Sequence, residues 1–351
     1  MSTSTSWKPV SSMALRMDGE RVLLLDQRRL PDEERWIDAT EPAVMEDCIR
    51  TLAVRGAPLL GVAAALCLGL LARSGCTPDA FRSAAALLRA ARPTAVNLMA
   101  AIDRLTGSVV GDELSGVDDL AMDVFLDDVA RCEAMAQHGA ALLEDGTGVI
   151  THCNTGGLAT VGVGTALGVI HRAHAQGKRV HVYVDETRPL LQGGRLTAWE
   201  LRHLGIPHTL ITDSMAAVVL RAGRASRVLV GSDRVARNGD FANKVGTYSL
   251  AVAAAHHHVP FHPVAPWTTV DLACPDGDAI PIEQRDADEV RGASGSFGSV
   301  RWCPRETEAF NPSFDVTPVA LVTSLVTDRG VFSRDQLRAG ALAALDGGGA
   351  R

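Results

Sequence analysis

The sequence predicts an α/β protein, with a Rossmann-like parallel sheet in its C-terminal part and a mostly helical N-terminal domain carrying short strands. Three observations lead there. Beyond Gly148, short apolar runs alternate with helical patterns, the rhythm of a doubly wound sheet. Between Glu41 and about Gly107 the apolar residues recur at i, i+3, i+4 spacing with no strand between them. Ahead of that, residues 1–40 hold only short strand-like pieces such as Arg21–Asp26, broken by Gly19 and Pro31.

Taken in order, helical patterns cover 43–54, 59–73, 78–91 and 95–105, and a polar break at 107–116 closes a domain spanning 1–116. A long connecting helical stretch, 117–147, ends at Glu144-Asp145-Gly146-Thr147-Gly148, where glycine suits a helix stop. The domain spanning 148–346 then offers strands at 148–152, 179–184, 208–212, 227–231 and 260–265. Helices at 158–176, 194–204, 214–222 and 244–257 are expected between them. Residues 272–315 read as irregular, a strand (318–323) and helix (333–345) close the domain, and 347–351 are expected to be a disordered tail.

Composition narrows the function. With 351 residues, 46% hydrophobic and 21% charged, the chain has the make-up of a globular protein. A net charge of −7 argues against a nucleic-acid binder. No apolar run is long enough to span a bilayer, and the N-terminus lacks the layout of a signal peptide. The seven cysteines show no paired spacing, so neither a disulfide framework nor a zinc site is expected, and a reducing cytoplasm is. His256-His257-His258 reads as a solvated helix end, because consecutive helical residues point different ways. No metal and no cofactor are expected.

The richest stretch is Thr151-His152-Cys153-Asn154-Thr155-Gly156-Gly157, between a buried strand and a helix expected from Leu158. Strand, polar turn, glycines and helix would aim backbone N–H groups at an anion and put a thiol beside a helix N-terminus. Val54-Arg55-Gly56-Ala57-Pro58 and Arg92-Pro93-Thr94 each open a helix with an arginine at its start, an arrangement suited to phosphate. Asp185-Glu186-Thr187-Arg188 follows the second strand. No Gly-x-Gly-x-x-Gly accompanies it, which disfavours a nicotinamide cofactor, and its arginine–acid pairs could equally be structural. Asp233 follows another apolar strand. Asn238-Gly239-Asp240 reads as a turn, and Asn243-Lys244 as a helix start at which one of only three lysines would meet phosphate.

In their order along the chain, these motifs, with Gln192-Gly193 and Val245-Gly246-Thr247-Tyr248, resemble the methylthioribose-1-phosphate isomerases, within the wider family of the translation initiation factor 2B regulatory subunits. The resemblance runs from about Trp7 to Phe332. It implies an aldose–ketose isomerase of methionine salvage that converts 5-methylthioribose 1-phosphate to 5-methylthioribulose 1-phosphate. Cys153 and Asp233 would be the catalytic pair, and Arg55, Gly56, Ala57, Arg92, Gln192, Asn243 and Lys244 the substrate contacts. A sugar phosphate as the small-molecule partner and a homodimer follow from the same resemblance. The alternatives are an isomerase of 5-deoxyribose 1-phosphate or ribose 1,5-bisphosphate, and a non-catalytic subunit that binds a phosphate ligand. At Ala265-Pro266-Trp267-Thr268-Thr269-Val270-Asp271 the chain departs from the family's small residue and Ser-Thr, so Trp267 is expected to reshape the pocket for the sugar 5-substituent. Gly157 and Arg237 also depart from the family's pattern.

Overall fold

The computed structural model describes Trp7, 9–92, 95–111 and 113–346, with the side chain of Asp346 left aside. Pro93, Thr94 and the tail at 347–351 therefore lie outside the described residues. The chain divides into two compact units, the first made of 1–29, 33–130 and 157–162, the second of 30–32, 131–156 and 163–351.

In the first unit, β1 (Val10–Ser11), β2 (Leu15–Met17), β3 (Val22–Leu25) and β4 (Trp36–Asp38) form an antiparallel sheet in sequence order. The helices are α1 (Pro42–Arg50), α2 (Ala57–Arg73), α3 (Pro78–Ala90), α4 (Val96–Gly107) and α5 (Val117–Ala140), the last crossing the division after Ala130. Every residue of α2 from Leu59 to Leu70 is buried, as befits a helix that is apolar all round. Gly61 lets α4 come close, since a Cβ there would sit 2.7 Å from the Asn97 carbonyl oxygen. Thr77 starts α3 by accepting a hydrogen bond from the Ala80 N–H, with Pro78 at the first helical position.

The second unit carries β5 (Gly148–Thr151), α6 (Ala166–Ala175), β6 (His181–Asp185), α7 (Ala198–His203), β7 (His208–Ile211), α8 (Ala216–Arg221), β8 (Arg227–Val230), β9 (Arg234–Ala236), β10 (Phe241–Lys244), α9 (Thr247–His256) and β11 (Phe261–Pro263). Beyond these come β12 (Val270–Asp271), α10 (Asp288–Arg291), the hairpin of β13 (Gly292–Gly295) and β14 (Gly298–Arg301), β15 (Phe314–Thr317), the hairpin of β16 (Ser324–Thr327) and β17 (Gly330–Ser333), and the short helices α11 (Arg334–Arg338) and α12 (Ala341–Asp346).

The main sheet is parallel, in the order β11-β8-β5-β6-β7. The chain runs outward from β5 through β6 to β7, then returns to β5's other side at β8. That makes the β5–β8 boundary a topological switch point, where ligands bind in open α/β sheets. All four residues of β5 are buried, as expected of a central strand covered on both faces. One core layer joins Val149, Val182, Val184 and Leu229 to α6, and another joins Ile150, Val228 and Val230 to α8 and α9.

Five stretches differ from expectation. The helix expected over 158–176 begins only at Ala166. Asn243 and Lys244 lie in β10, paired antiparallel with β9 and β15, and the helix starts at Thr247. The closing strand is at 324–327 instead of 318–323, where a short 3-10 turn spans Val319–Leu321, and the closing helix is two short ones. Within 272–315, read as irregular, lie α10 and the β13–β14 hairpin. At β10 propensity gave no warning, because that strand is settled by pairing with β15, far along the chain.

Candidate active site

The C-terminal edge of the main sheet gathers the polar residues of the second unit. β5 delivers His152 and Cys153, β6 ends in Asp185 and leads to Thr187, β7 leads to Asp213, and β8 leads to Asp233. Cys153 and Asp233 thus follow adjacent parallel strands on either side of the switch point.

Cys153 is buried and its backbone is left-handed, at φ +63°. A β-carbon makes that region unfavourable, so the surroundings must hold it. Two threonines do so. The Thr187 hydroxyl accepts the Cys153 N–H at 2.8 Å, and the Thr197 hydroxyl donates to the Cys153 carbonyl at 2.6 Å. Thr187 is itself left-handed, at φ +64°. Its N–H and that of Arg188 each reach an oxygen of Asp213 at 2.7 Å. Asn154 donates to Glu200 at 3.0 Å, and Gly156 packs directly on that carboxylate.

His152 is fully buried between two acceptors. Its Nε2 is 2.9 Å from the Val245 carbonyl and its Nδ1 is 3.0 Å from Asp185 Oδ2. A carbonyl can only accept, so Nε2 carries a proton. The second Asp185 oxygen is buried with no hydrogen-bond partner. Burial raises the Asp185 carboxyl to about 6, against the opposing pull of His152. Burial works against charge on His152 too, yet Asp185, Asp213 and the Val245 carbonyl together raise its pKa. His152, Asp185 and Asp213 also offer ligand atoms within 4.8 Å of one another, the spacing of a cation site. Asp213 already takes two backbone N–H groups and His152 already lies between two acceptors, so the set reads as a proton network.

Asp233 is partly exposed, and its N–H donates to the Ala242 carbonyl at 2.9 Å, which fastens it to the β9–β10 hairpin. The Asn238-Gly239-Asp240 turn closes that hairpin. Asp240 accepts from Asn238, Gly277 and Val319, a structural role that agrees with the turn reading. Asn243 donates to the Thr247 hydroxyl at 2.9 Å. Buried Lys244 donates to the Ser313 carbonyl at 2.7 Å and lies over the Phe314 ring. Gln192 is buried, and its Oε1 has no hydrogen-bond partner.

Two helix starts expected to meet an anion are closed by the chain's own side chains. The N-terminus of α6 is closed by Thr155, whose hydroxyl accepts from the Leu167 N–H and whose carbonyl accepts from the Thr165 N–H. No helix begins beside Cys153. The start of α9 is closed by Asp315, which accepts from the Gly246 and Tyr248 N–H groups at 2.7 and 3.1 Å. Lys244 therefore owes its position to a strand, not to a helix start.

Arg55, Gly56, Ala57 and Arg92 belong to the first unit. Arg55 donates to Gln27 at 3.2 Å, and Gln27 donates to the Leu158 carbonyl at 2.7 Å. The close approach that Gly56 permits is to the chain itself. It sits at φ +102°, and a Cβ would lie 2.5 Å from the Ala159 Cα. The Leu59 N–H at the start of α2 donates to the Ala159 carbonyl at 3.1 Å. The Ala95 N–H, at the N-cap of α4, donates to the Arg92 carbonyl at 3.0 Å. The reading of Arg92 through Pro93 and Thr94 falls outside the described residues.

Arg188 and Trp267 turn inward to structure. The Arg188 guanidinium donates to the carbonyls of Pro189, Glu289, Val290 and Gly292 and stacks over Trp302. Trp267 packs against Phe332 and the Arg329 guanidinium. His256-His257-His258 does close α9, largely exposed, as expected. Sequence reasoning did not select Thr197, Glu200, Asp213 or Asp315, and it passed over Thr187 and His152 inside motifs it had marked. Only the polar residues flanking Cys153 signalled them.

Comparison with known proteins bears on this site. Residues 53–334 match the Initiation factor 2 subunit family. A methylthioribose-1-phosphate isomerase of Klebsiella pneumoniae is 52% identical over 95% of this chain and 98% of its own. One from Cronobacter sakazakii is also 52% identical, over 95% and 99%. Among solved structures, the 5-methylthioribose 1-phosphate isomerase of Pyrococcus horikoshii superposes with a TM-score of 0.86 at 36% identity, covering 95% of this chain and 96% of that one. A chain described as translation initiation factor eIF-2B, subunit delta, from A. fulgidus gives 0.84 at 39% identity, covering 96% and 100%. This chain belongs to the Initiation factor 2 subunit family, alongside the methylthioribose-1-phosphate isomerases that it matches over nearly their whole length.

Proposed function

We propose that the protein is an aldose–ketose isomerase that converts 5-methylthioribose 1-phosphate to 5-methylthioribulose 1-phosphate in methionine salvage. The observation that carries the reading is the pairing of a held thiol and a carboxyl at neighbouring strand ends of the switch point, in a chain about half identical to enzymes of that name. Among the described residues no helix is long and apolar enough to cross a membrane. A cytoplasmic homodimer belongs to the same reading.

The substrate's anomeric carbon bears phosphate, so the ring must open with that ester in place. Asp233 gives a proton to the ring oxygen, the bond from C1 to that oxygen breaks towards oxygen, and C1 is left as an oxocarbenium ion. Two routes complete the reaction. A hydride passes from C2 to C1 while the C2 hydroxyl proton returns to Asp233. Alternatively, a base removes the C2 proton to give an enol, and C1 is then protonated as the C2 hydroxyl proton returns to Asp233. Cys153 serves as polar stabiliser in the first route and as base in the second. Arg55, Gly56, Ala57, Arg92, Gln192, Asn243 and Lys244 are the proposed substrate contacts.

The test is to incubate the protein with 5-methylthioribose 1-phosphate in D2O and follow ketose formation by NMR. Ketose is expected, and its absence overturns the reading. Deuterium at C1 of the product selects the enol route, and its absence selects hydride transfer. Faster turnover of 5-deoxyribose 1-phosphate or ribose 1,5-bisphosphate would reassign the substrate.

A further inference from the structure

His152 and Asp185 have no part in the steps above, yet among the described residues they are the most deeply buried titratable pair at the sheet edge, with side chains 1% and 2% exposed. Their placement joins two pieces of chain. His152 precedes Cys153, and its Nε2–H is received by Val245, which follows Asn243 and Lys244. Gly246 packs flat on the ring, since a Cβ there would sit 2.7 Å from Cε1. The imidazole cannot rotate without displacing that turn. With Nε2 committed to a carbonyl, the Nδ1···Oδ2 contact is a hydrogen bond only if one more proton lies between the two atoms.

We infer that His152 and Asp185 form a proton-holding positioning pair, which keeps the peptide carrying Cys153 registered against the Asn243–Lys244 strand. Its effect on turnover rests on the isomerase reading, while its proton does not. The charged groups facing the pair are Glu186 beside Asp185, Asp213 beyond β7 and Asp315 on β15, with Lys244 of β10 facing Asp315 and Arg188 facing Glu186 and Asp213. The three carboxylates outnumber these two cations, neither of which faces the pair directly, so the surroundings favour retention of the shared proton. When pH rises far enough to remove it, Nδ1 and Oδ2 face each other as two acceptors, and the register loosens.

Asp185→Asn tests this, because an asparagine amide can donate to an unprotonated Nδ1 while Nε2–H stays on Val245. The contact survives as a weaker, neutral hydrogen bond that holds the register less firmly, and the titrating proton is removed. In the wild type, proton NMR should show a slowly exchanging resonance far downfield that disappears at alkaline pH. It should be missing from Asp185→Asn at every pH. In turnover, Asp185→Asn should lower kcat by about tenfold with KM little changed. Part of the alkaline fall in kcat should go with it. A wild type without that resonance overturns the pair, as does a variant with wild-type kcat and an unchanged alkaline limb. If neither protein turns over sugar phosphate, the isomerase reading fails, and the resonance still decides the pair.

Discussion

The ends of β5 and β8 lie side by side in the sheet and are held by different means. At β5, side chains do the holding: Thr187 and Thr197 grip the two sides of the Cys153 peptide, and His152 is pinned between Asp185 and Val245. At β8, the backbone does most of it, through the Asp233 N–H on the Ala242 carbonyl and the pairing of β9 with β10, helped by the Ser232 hydroxyl on the Arg234 and Ala242 carbonyls. The thiol therefore sits where almost nothing can move without breaking a buried hydrogen bond. The carboxyl sits partly exposed on a hairpin that keeps its shape whatever side chain it carries.

The largest effect expected from this contrast is at Asp233. Asp233→Asn leaves the backbone hold untouched, so Tm should stay within about 1 °C while kcat falls by ~10²–10⁴. Near-normal turnover would remove Asp233 from the chemistry. Next comes the clamp on the other side. Thr187→Val strands the buried Cys153 N–H and should lower stability by ~1–3 kcal/mol, whereas Thr187→Ser should restore most of the loss. Equal stability of all three proteins by urea denaturation would show that Cys153 keeps its left-handed backbone without that hydroxyl. The smallest effect lies on the β8 side. Buried His262 on β11 hydrogen-bonds Ser324, and burial, aided by Arg227, pushes its pKa down to about 4. The unfolded chain takes up a proton near 6.5 that the folded protein refuses until about 4. Stability attributable to His262 is thus present above 6.5 and is lost as pH falls through that window, by ~1 kcal/mol at pH 5.5. The difference between the wild type and His262→Gln should change by that amount from pH 7.5 to 5.5. No change would mean that His262 is protonated in the folded state.

Legibility in the sequence followed the same divide. The five parallel strands stood out because each is a short apolar run bounded by turn residues, and that pattern survives any tertiary context. Cys153 and Asp233 were marked for the same reason, since each immediately follows such a run. Lys244 was assigned to a helix start because Asn-Lys followed by Gly-Thr-Tyr carries no local mark of a strand. Its pairing with Phe314 is set by residues far along the chain. The glycines after Cys153 suggested a helix N-terminus, but their neighbours Thr155 and Thr165 close a loop instead. Thr187, Thr197, Asp213 and Asp315 act across the sheet edge, on partners that sequence spacing cannot name.

The strand order has a consequence for how the chain comes to life. β5 and β8 are neighbours in the sheet, yet β6 and β7 are made between them. A growing chain that has just completed β7 can pair β5, β6 and β7 into a half-sheet, and β5 then presents one bare hydrogen-bonding edge until β8 leaves the ribosome. The same gap separates the two halves of the site. No shorter fragment can assemble it, and translation itself sets the earliest moment at which thiol and carboxyl meet.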